Sequence, residues 1–207
     1  MTAPQRLTDR KRLAILTAAA DQFRSFGFDA SSMDKIAAAA GVSKRTVYNH
    51  FPSKEELFAE TLLQLFQRYA EDEEVPYRGD VALAPQLTEL LQRKVRTMAD
   101  PAFLSLARVA VAEAIHAPER TAPILARLGE QEHGVTAWIR AALADGRLAP
   151  CDPLFAAALL QGQVKAVAFW PQVSMGAPPV APALQADLIE AAVSMFLGYF
   201  AQPKQTA

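Results

Sequence analysis

Sixteen residues near the start of the chain, SKRTVYNHFPSKEELF (43–58), hold three cations, a tyrosine and a histidine, although the formal net charge of the whole chain is only −1. If this segment begins as a helix of 100° per residue, Val47 and Phe51 share its inner face. The candidates for its outer face and first turn are Lys44, Arg45, Thr46 and Asn49. Guanidinium, ammonium, hydroxyl and amide groups can hydrogen-bond base edges in a major groove, and an arginine can bind guanine through two hydrogen bonds. The spacing therefore indicates a helix face that reads DNA bases.

Side chains that can hold phosphates flank this predicted helix, and such contacts fix the position of a protein on DNA. The phosphate-binding candidates are Ser43, Tyr48, His50 and Lys54. Pro52 ends the helix, and Ser53 with Glu56 forms a capping box that begins the next one. The amides and dipole at the new helix N-terminus favour an anion, so we expect Lys54 to hold a phosphate there.

Two earlier helices must position this face. The pattern predicts a first helix over residues 9–26 and a short second helix, capped by Ser31 or Ser32, that ends at Gly41. Only Gly41 and Val42 precede the next cap, Ser43. Short helices joined by a tight glycine turn are typical of a helix-turn-helix, although hairpins of helices that bind no DNA share this spacing.

The distribution of charge favours the same segment. Residues 1–54 contain nine Lys or Arg and four acidic residues, a net charge of +5, so the remainder carries −6. With a pI near 6.3, DNA contact must come from a local patch and not from overall charge. We predict a basic arm over residues 1–9, ahead of the first helix.

Residues 10–60 closely resemble the TetR family of transcriptional regulators. The resemblance lies in Ile36-Ala to Gly41-Val-Ser and in the run from Thr46 through Tyr48, His50, Pro52 and Lys54 to Leu57. Two later segments, VAVAEA (109–114) and LADGRL (143–148), are similar to one subgroup of the family. Apolar residues recur at helical spacing almost throughout the chain, and no run alternates like a strand, which predicts an all-α chain of about nine helices. The resemblance implies a helix-turn-helix domain at 1–52 and a domain for effector binding and dimerisation at 53–207.

The resemblance also implies site residues by position. Lys44, Arg45, Thr46 and Asn49 fall where family members contact bases or nearby backbone, and Tyr48, His50 and Lys54 fall where phosphate contacts are usual. Asn49 departs from the aromatic residue that the family often has, which favours a hydrogen bond, for example to adenine. Arg6 to Arg12 are expected to add phosphate or minor-groove contacts. The implied function is a ligand-responsive repressor with a small-molecule effector, in the cytoplasm and without a cofactor.

Two predicted helices near the end of the chain, over residues 152–170 and 183–201, are apolar on more than one face. One face can pack within the subunit, and large apolar faces that stay exposed usually mark interfaces. We therefore predict a homodimer through a four-helix interface, with a thick monomeric core as the alternative. A dimer places two recognition helices on successive major grooves about 34 Å apart, which predicts a palindromic operator.

A pocket for the effector is harder to predict, because aromatic and methionine side chains at helical spacing are more often plain core. The weak candidates on the middle helices are Phe66, Met98, Phe103, His116, Trp138, Gln163 and Phe169. They indicate no ligand class.

Other functions stay open at this stage. Glu113 with His116 and Glu130 with His133 have the i, i+3 spacing of di-iron carboxylate bundles, but such an enzyme also needs an inward glutamate from each of two further helices. Cys151, the only cysteine, has no assigned base, so nucleophilic catalysis is not indicated, and we predict a protein that is not an enzyme. A DNA-binding protein of architectural type, without regulation, is the third possibility.

Overall fold

The computed structural model describes residues 3–73, 75–129 and 134–202, and the regular structure of these residues is helical. The all-α prediction is confirmed. The described residues form α1 (Ala3–Phe26), α2 (Met33–Ala39), α3 (Lys44–His50), α4 (Lys54–Glu73), α5 (Leu83–Ala99), α6 (Pro101–His116), α7 (Pro118–Gly129), α8 (Val135–Ala144), α9 (Pro153–Ala168), α10 (Trp170–Met175) and α11 (Pro182–Phe200).

These eleven helices exceed the nine predicted, for two local reasons. The segment from Pro118 to Gly146 forms two helices, and the second begins after Gly134, whose φ of +59° suits glycine. Pro171 lacks an amide hydrogen and cannot continue α9, so the chain breaks at Phe169 and starts the short α10.

Helix α1 starts six residues before the predicted Asp9. Residues 3–9, which were expected to form a basic arm ahead of the first helix, are therefore the first turns of that helix, and Met1 and Thr2 lie outside the described residues. The backbone of Arg6 is helical, and its side chain is outside the described part. Arg10 and Lys11 are exposed along α1.

The chain divides into two compact units. The first contains the described residues within Met1–Gln67 and Ser105–Glu130, and the second contains those within Arg68–Leu104 and Gln131–Ala207. The predicted boundary after residue 52 falls inside the first unit, which includes most of α4 and the whole of α7.

The core of the first unit holds the helix-turn-helix together. Phe23, Phe28 and Phe58 pack ring against ring, with centroids 5.0–6.0 Å apart. Ser32 is the cap of α2, because its hydroxyl accepts the amide hydrogen of Lys35. The hydroxyl of Ser31 instead lies 2.6 Å from the carbonyl oxygen of Gly27 and 3.1 Å from that of Gln22 in α1. These contacts fix the start of α2, the helix that precedes α3.

The core of the second unit is formed mainly by α5, α8, α9 and α11. Its fully buried large side chains are Leu87, Leu90, Leu91, Trp138, Ile139 and Leu160. Helix α11 is the one described helix with the length and hydropathy of a membrane span. Its apolar side chains also serve the core, because Ile189, Val193 and Phe196 are buried there.

Gln86 is a buried polar side chain that joins α5 to the loop before it. The two hydrogens of its amide nitrogen are shared among the carbonyl oxygens of Arg78, Val81 and Ala82, which lie 2.9–3.1 Å from that nitrogen. Its amide oxygen accepts from the Arg78 backbone at 2.8 Å and from Trp138 Nε1 at 3.3 Å. Buried polar groups need hydrogen-bond partners. The Gln86 side chain is such a partner for five atoms, of which four belong to the backbone and one to Trp138.

We expect Gln86→Leu to lower the free energy of unfolding by about 3 kcal/mol, because it leaves buried donors and acceptors without partners. Urea unfolding followed by circular dichroism measures this change. Gln92→Leu, at an exposed position of the same helix, is the matched control and should change stability by less than about 0.5 kcal/mol. Equal effects of the two substitutions would contradict the role given to Gln86.

Candidate nucleic-acid interface

Helix α3 presents one polar face because its two ends are fixed. At its start, the Ser43 hydroxyl accepts the amide hydrogen of Thr46 at 3.1 Å, and the two hydroxyl groups share a hydrogen bond of 2.8 Å. Val47 and, after the end of the helix, Phe51 are fully buried, as the spacing predicts. The opposite side of α3 is consequently exposed.

Arg45 and Asn49 occupy this exposed side. Within the part of the chain that the structure describes, neither side chain forms a hydrogen bond or an ion pair. A guanidinium and an amide one helical turn apart are thus both available to an outside partner. That they read bases stays a prediction.

Lys44, the first residue of α3, has a partner on the preceding helix. Its ammonium nitrogen lies 2.8 Å from Oδ1 and 3.1 Å from Oδ2 of Asp34, in the first turn of α2. The pKa of Lys44 is raised, chiefly by its hydrogen bond to Asp34 and then by the charge of that carboxylate. Lys44 therefore meets any DNA as a full cation already paired with an acid.

The other phosphate candidates lie around the same face. Tyr48 is 43% exposed, and its ring centroid is 6.0 Å from the ammonium of Lys44. His50 is half-buried beside the Phe51 ring, and the Ser43 hydroxyl is already engaged in capping α3. Phosphate binding by these three residues remains untested.

Lys54 has a role that its position in the sequence did not predict. Its ammonium donates to the carbonyl oxygens of Phe28, Asp29 and Ser31 at 2.8–3.3 Å. It also lies 4.3 Å from the centroid of the Phe28 ring. These three carbonyls use the three donors of an ammonium group, so a phosphate would have to displace one of them. Lys54 thereby ties the start of α4 to the loop between α1 and α2.

We expect Lys54→Met to lower the free energy of unfolding by about 2 kcal/mol, because three charge-assisted hydrogen bonds are lost. Lys11→Met, which removes an exposed lysine of α1, is the control and should have little effect. Denaturant unfolding of both variants checks the structural role, and equal stabilities would contradict it. The salt dependence of DNA binding checks the phosphate role, for which the slope should become shallower by about one.

Two arginines of α7 reach the elements that hold the recognition helix. Arg127 Nη2 binds Glu60 Oε1 of α4 at 2.7 Å, and Arg12 Nη2 of α1 binds Glu60 Oε2 at 2.5 Å. The guanidinium carbon of Arg12 lies 4.6 Å from the centroid of the Phe51 ring, which follows α3. A chain of contacts therefore runs from α7 through Glu60 and Arg12 to the end of α3.

The second arginine, Arg120, lies seven residues earlier on the same helix. It pairs with Glu113 of α6 at 3.2 Å and with Asp29 of the loop between α1 and α2 at 3.8 Å. Its guanidinium carbon is 4.8 Å from the Phe28 ring centroid. Neither arginine was predicted as a functional residue, although their spacing of two helical turns places them on one face of α7.

The candidates for an effector pocket are divided between the two units. Phe66, which packs against the first core, and His116, which is exposed at the end of α6, belong to the first unit. The second unit contains the other five, namely Met98, Phe103, Trp138, Gln163 and Phe169. Trp138 and Met98 are core residues, and the Phe103 and Phe169 rings lie 6.2 Å apart. The amide oxygen of Gln163 is buried without a hydrogen-bond partner among the described residues.

The two described ligand candidates of the di-iron alternative, Glu113 and His116, do not support it. Glu113 is buried and paired with Arg120, whereas His116 is exposed. Glu130 and His133 lie outside the described residues. Across the described ranges, no three His, Cys, Asp or Glu side chains converge in a way that could hold a metal ion.

Helices α9 and α11 leave a second apolar face uncovered in the second unit, opposite their core residues. The exposed large side chains on this face are Leu154, Phe155 and Leu159 of α9, and Leu184, Met195 and Tyr199 of α11. The small residues Ala158, Gly162 and Ala166 are exposed between them on α9. We call these residues the α9–α11 face.

Comparisons with known proteins match both parts of the chain. A family described as "Bacterial regulatory proteins, tetR family" matches residues 15–61, and one described as "AefR-like transcriptional repressor, C-terminal domain" matches residues 85–202. The HTH-type transcriptional regulator RutR of Escherichia coli (strain K12) is 31% identical over 153 residues, which cover 72% of this chain and 69% of RutR.

Solved structures agree with these matches. A TetR family transcriptional regulator from Pseudomonas syringae pv. tomato str. DC3000 is 50% identical and has a TM-score of 0.78, with coverage of 94% of this chain and 99% of that one. The Flavonoid-responsive Regulator FrrA is 25% identical and has a TM-score of 0.71, with coverage of 93% and 98%.

Proposed function

This chain belongs to the TetR family of DNA-binding transcriptional regulators, and we propose that it is a ligand-responsive repressor that binds a palindromic operator as a homodimer. The observation that carries the proposal is the exposed pair of Arg45 and Asn49 on α3, above the buried Val47, since neither side chain has a partner among the described residues. A helix with hydrogen-bonding groups on its free side and a fixed apolar base can enter a major groove without rearrangement.

The α9–α11 face supports dimer formation. Tyr199 is 79% exposed and Met195 is 57% exposed, and such a continuous apolar patch is costly on a monomer in water. Its alanines and Gly162 allow two copies of α9 to approach closely. A twofold axis through this face would bury it in both subunits and give the symmetry of a palindromic operator.

Control by an effector is supported by the contacts of α7. This helix lies in the region that matches the C-terminal domain family, yet Arg127 and Arg120 bind residues of α4 and of the loop between α1 and α2. A shift of α7 on effector binding would therefore change the contacts that hold α3. A coupling free energy of about 1–3 kcal/mol would change operator affinity by about 5- to 150-fold.

The proposal is tested in two steps with the purified full-length protein. Selection from randomised duplexes, followed by footprinting, should return a palindrome with half-sites about one helical turn apart. Flavonoids are the first probes for release from that operator, since FrrA is named as flavonoid-responsive. Uniform coating of long DNA without a preferred site would overturn the proposal. We further propose that the protein acts in the cytoplasm, where its DNA is.

A further inference from the structure

The pair of Lys44 and Asp34 places a carboxylate next to a cation that is predicted to read bases. Both oxygens of Asp34 lie within 3.1 Å of the ammonium nitrogen. The side chains are 59% and 64% exposed, so the pair contributes little to the stability of the fold. We therefore expect the pair to affect DNA binding and not stability.

An ammonium group has three donors and no preferred plane, so a lysine can exchange partners freely. A lysine at the start of a recognition helix can therefore bind either a neutral base-edge acceptor or a charged phosphate oxygen. Phosphate contacts are the same for every sequence and favour non-specific binding. Lys44 therefore adds to sequence specificity when it binds a base edge, and does not when it binds a phosphate.

Asp34 favours a base edge over a phosphate as the partner of Lys44, because of its negative charge and its position beside the ammonium. It holds one side of the ammonium and leaves the remaining donors free for a base edge. A phosphate that approached the same ammonium would also approach the Asp34 carboxylate and be repelled by it. A guanine O6 or N7 atom carries no full charge and suffers much less repulsion.

We propose that Asp34 is a specificity-determining residue, which directs Lys44 to base edges and keeps it from phosphates. This inference rests on the proposed function, in which α3 reads the operator. Asp34 thus contributes to DNA recognition, although its own negative charge opposes DNA binding.

The test compares Asp34→Asn, Lys44→Met and the double variant. Each is titrated with the selected operator and with an unrelated duplex over a series of salt concentrations. We expect Asp34→Asn to tighten binding of the unrelated duplex by about five- to tenfold near 0.1 M salt and to steepen its salt slope by about one, because Lys44 gains a phosphate. The ratio of operator to unrelated affinity should fall. In the Lys44→Met background, the same change should alter that ratio by less than about twofold.

Asp9→Asn removes an equal charge from an exposed position of α1 and is the matched control. Equal effects of Asp34→Asn in both backgrounds, or an equal effect of Asp9→Asn, would overturn the inference, because Asp34 would then act only through net charge. If Lys44→Met lowers operator preference and Asp34→Asn does not, the inference alone fails. If neither Lys44→Met nor Arg45→Ala affects preference, the proposed reading role of α3 fails as well.

Discussion

Replacing Arg45 with alanine removes one base contact from each half-site of the proposed dimer, and is expected to lower operator affinity by at least about 30-fold while binding to unrelated DNA weakens only slightly. A guanidinium that binds guanine through two hydrogen bonds contributes about 1–3 kcal/mol of discrimination, and alanine has no group to replace it. Arg45 is exposed and without a partner in the described chain, so the variant should fold normally. Titration of operator and unrelated duplexes by fluorescence anisotropy measures the ratio directly.

Arg45→Lys is the informative companion to this variant. It keeps the charge and the salt dependence, but its ammonium lacks the planar fork of a guanidinium. We expect it to lose much of the operator preference, like the alanine variant, while its affinity for unrelated DNA stays near that of the wild type. An unchanged preference in Arg45→Ala would exclude base reading at this position.

Met195→Asp is expected to convert the proposed dimer to monomers. By twofold symmetry the change buries two charges in the interface, and an unpaired buried charge costs several kcal/mol. Met195 is exposed in the isolated subunit, so the fold of each chain should persist. Since a monomer engages one half-site only, operator affinity should fall by at least about 100-fold.

Light scattering after gel filtration gives the mass of the particle, and circular dichroism verifies the fold. Met175→Asp is the matched control, because Met175 is even more exposed, at 74%, and lies on α10 outside the α9–α11 face. It should remain dimeric and bind the operator normally. A Met195→Asp variant that is still a dimer would show that the subunits associate through another surface.

The parts of the fold that depend on local chemistry could be predicted from the sequence. The burial of Val47 and Phe51 follows from helical spacing, and the tight turn at Gly41, with a φ of +64°, follows from a conformation that glycine adopts readily. The cap of α3 follows from Ser43, because serine directly before a helix can accept an amide hydrogen of the first turn. Each of these features depends on residues within a few positions of one another.

The features that were missed depend on residues far apart in the chain. The hydrogen bonds of the Lys54 ammonium to the carbonyls of residues 28, 29 and 31 were not predicted, whereas its phosphate contact stays a prediction. Arg127 and Glu60 are 67 positions apart, and no local pattern indicates their contact. The early start of α1 was missed for a different reason, since basic residues are as compatible with a helix as with an extended arm.

The carboxylate of Glu60, shared by Arg12 and Arg127, has a consequence for building hybrid regulators. A chimera joined after residue 52 would take Arg12 from one parent and both Glu60 and Arg127 from the other. A junction after Gln67 keeps Arg12 with Glu60 but still draws Arg127 from the second parent. An exchanged DNA-binding domain should therefore be combined with a matched residue 127. A single continuous donor segment that includes Arg12, Glu60 and Arg127 would contain most of the chain.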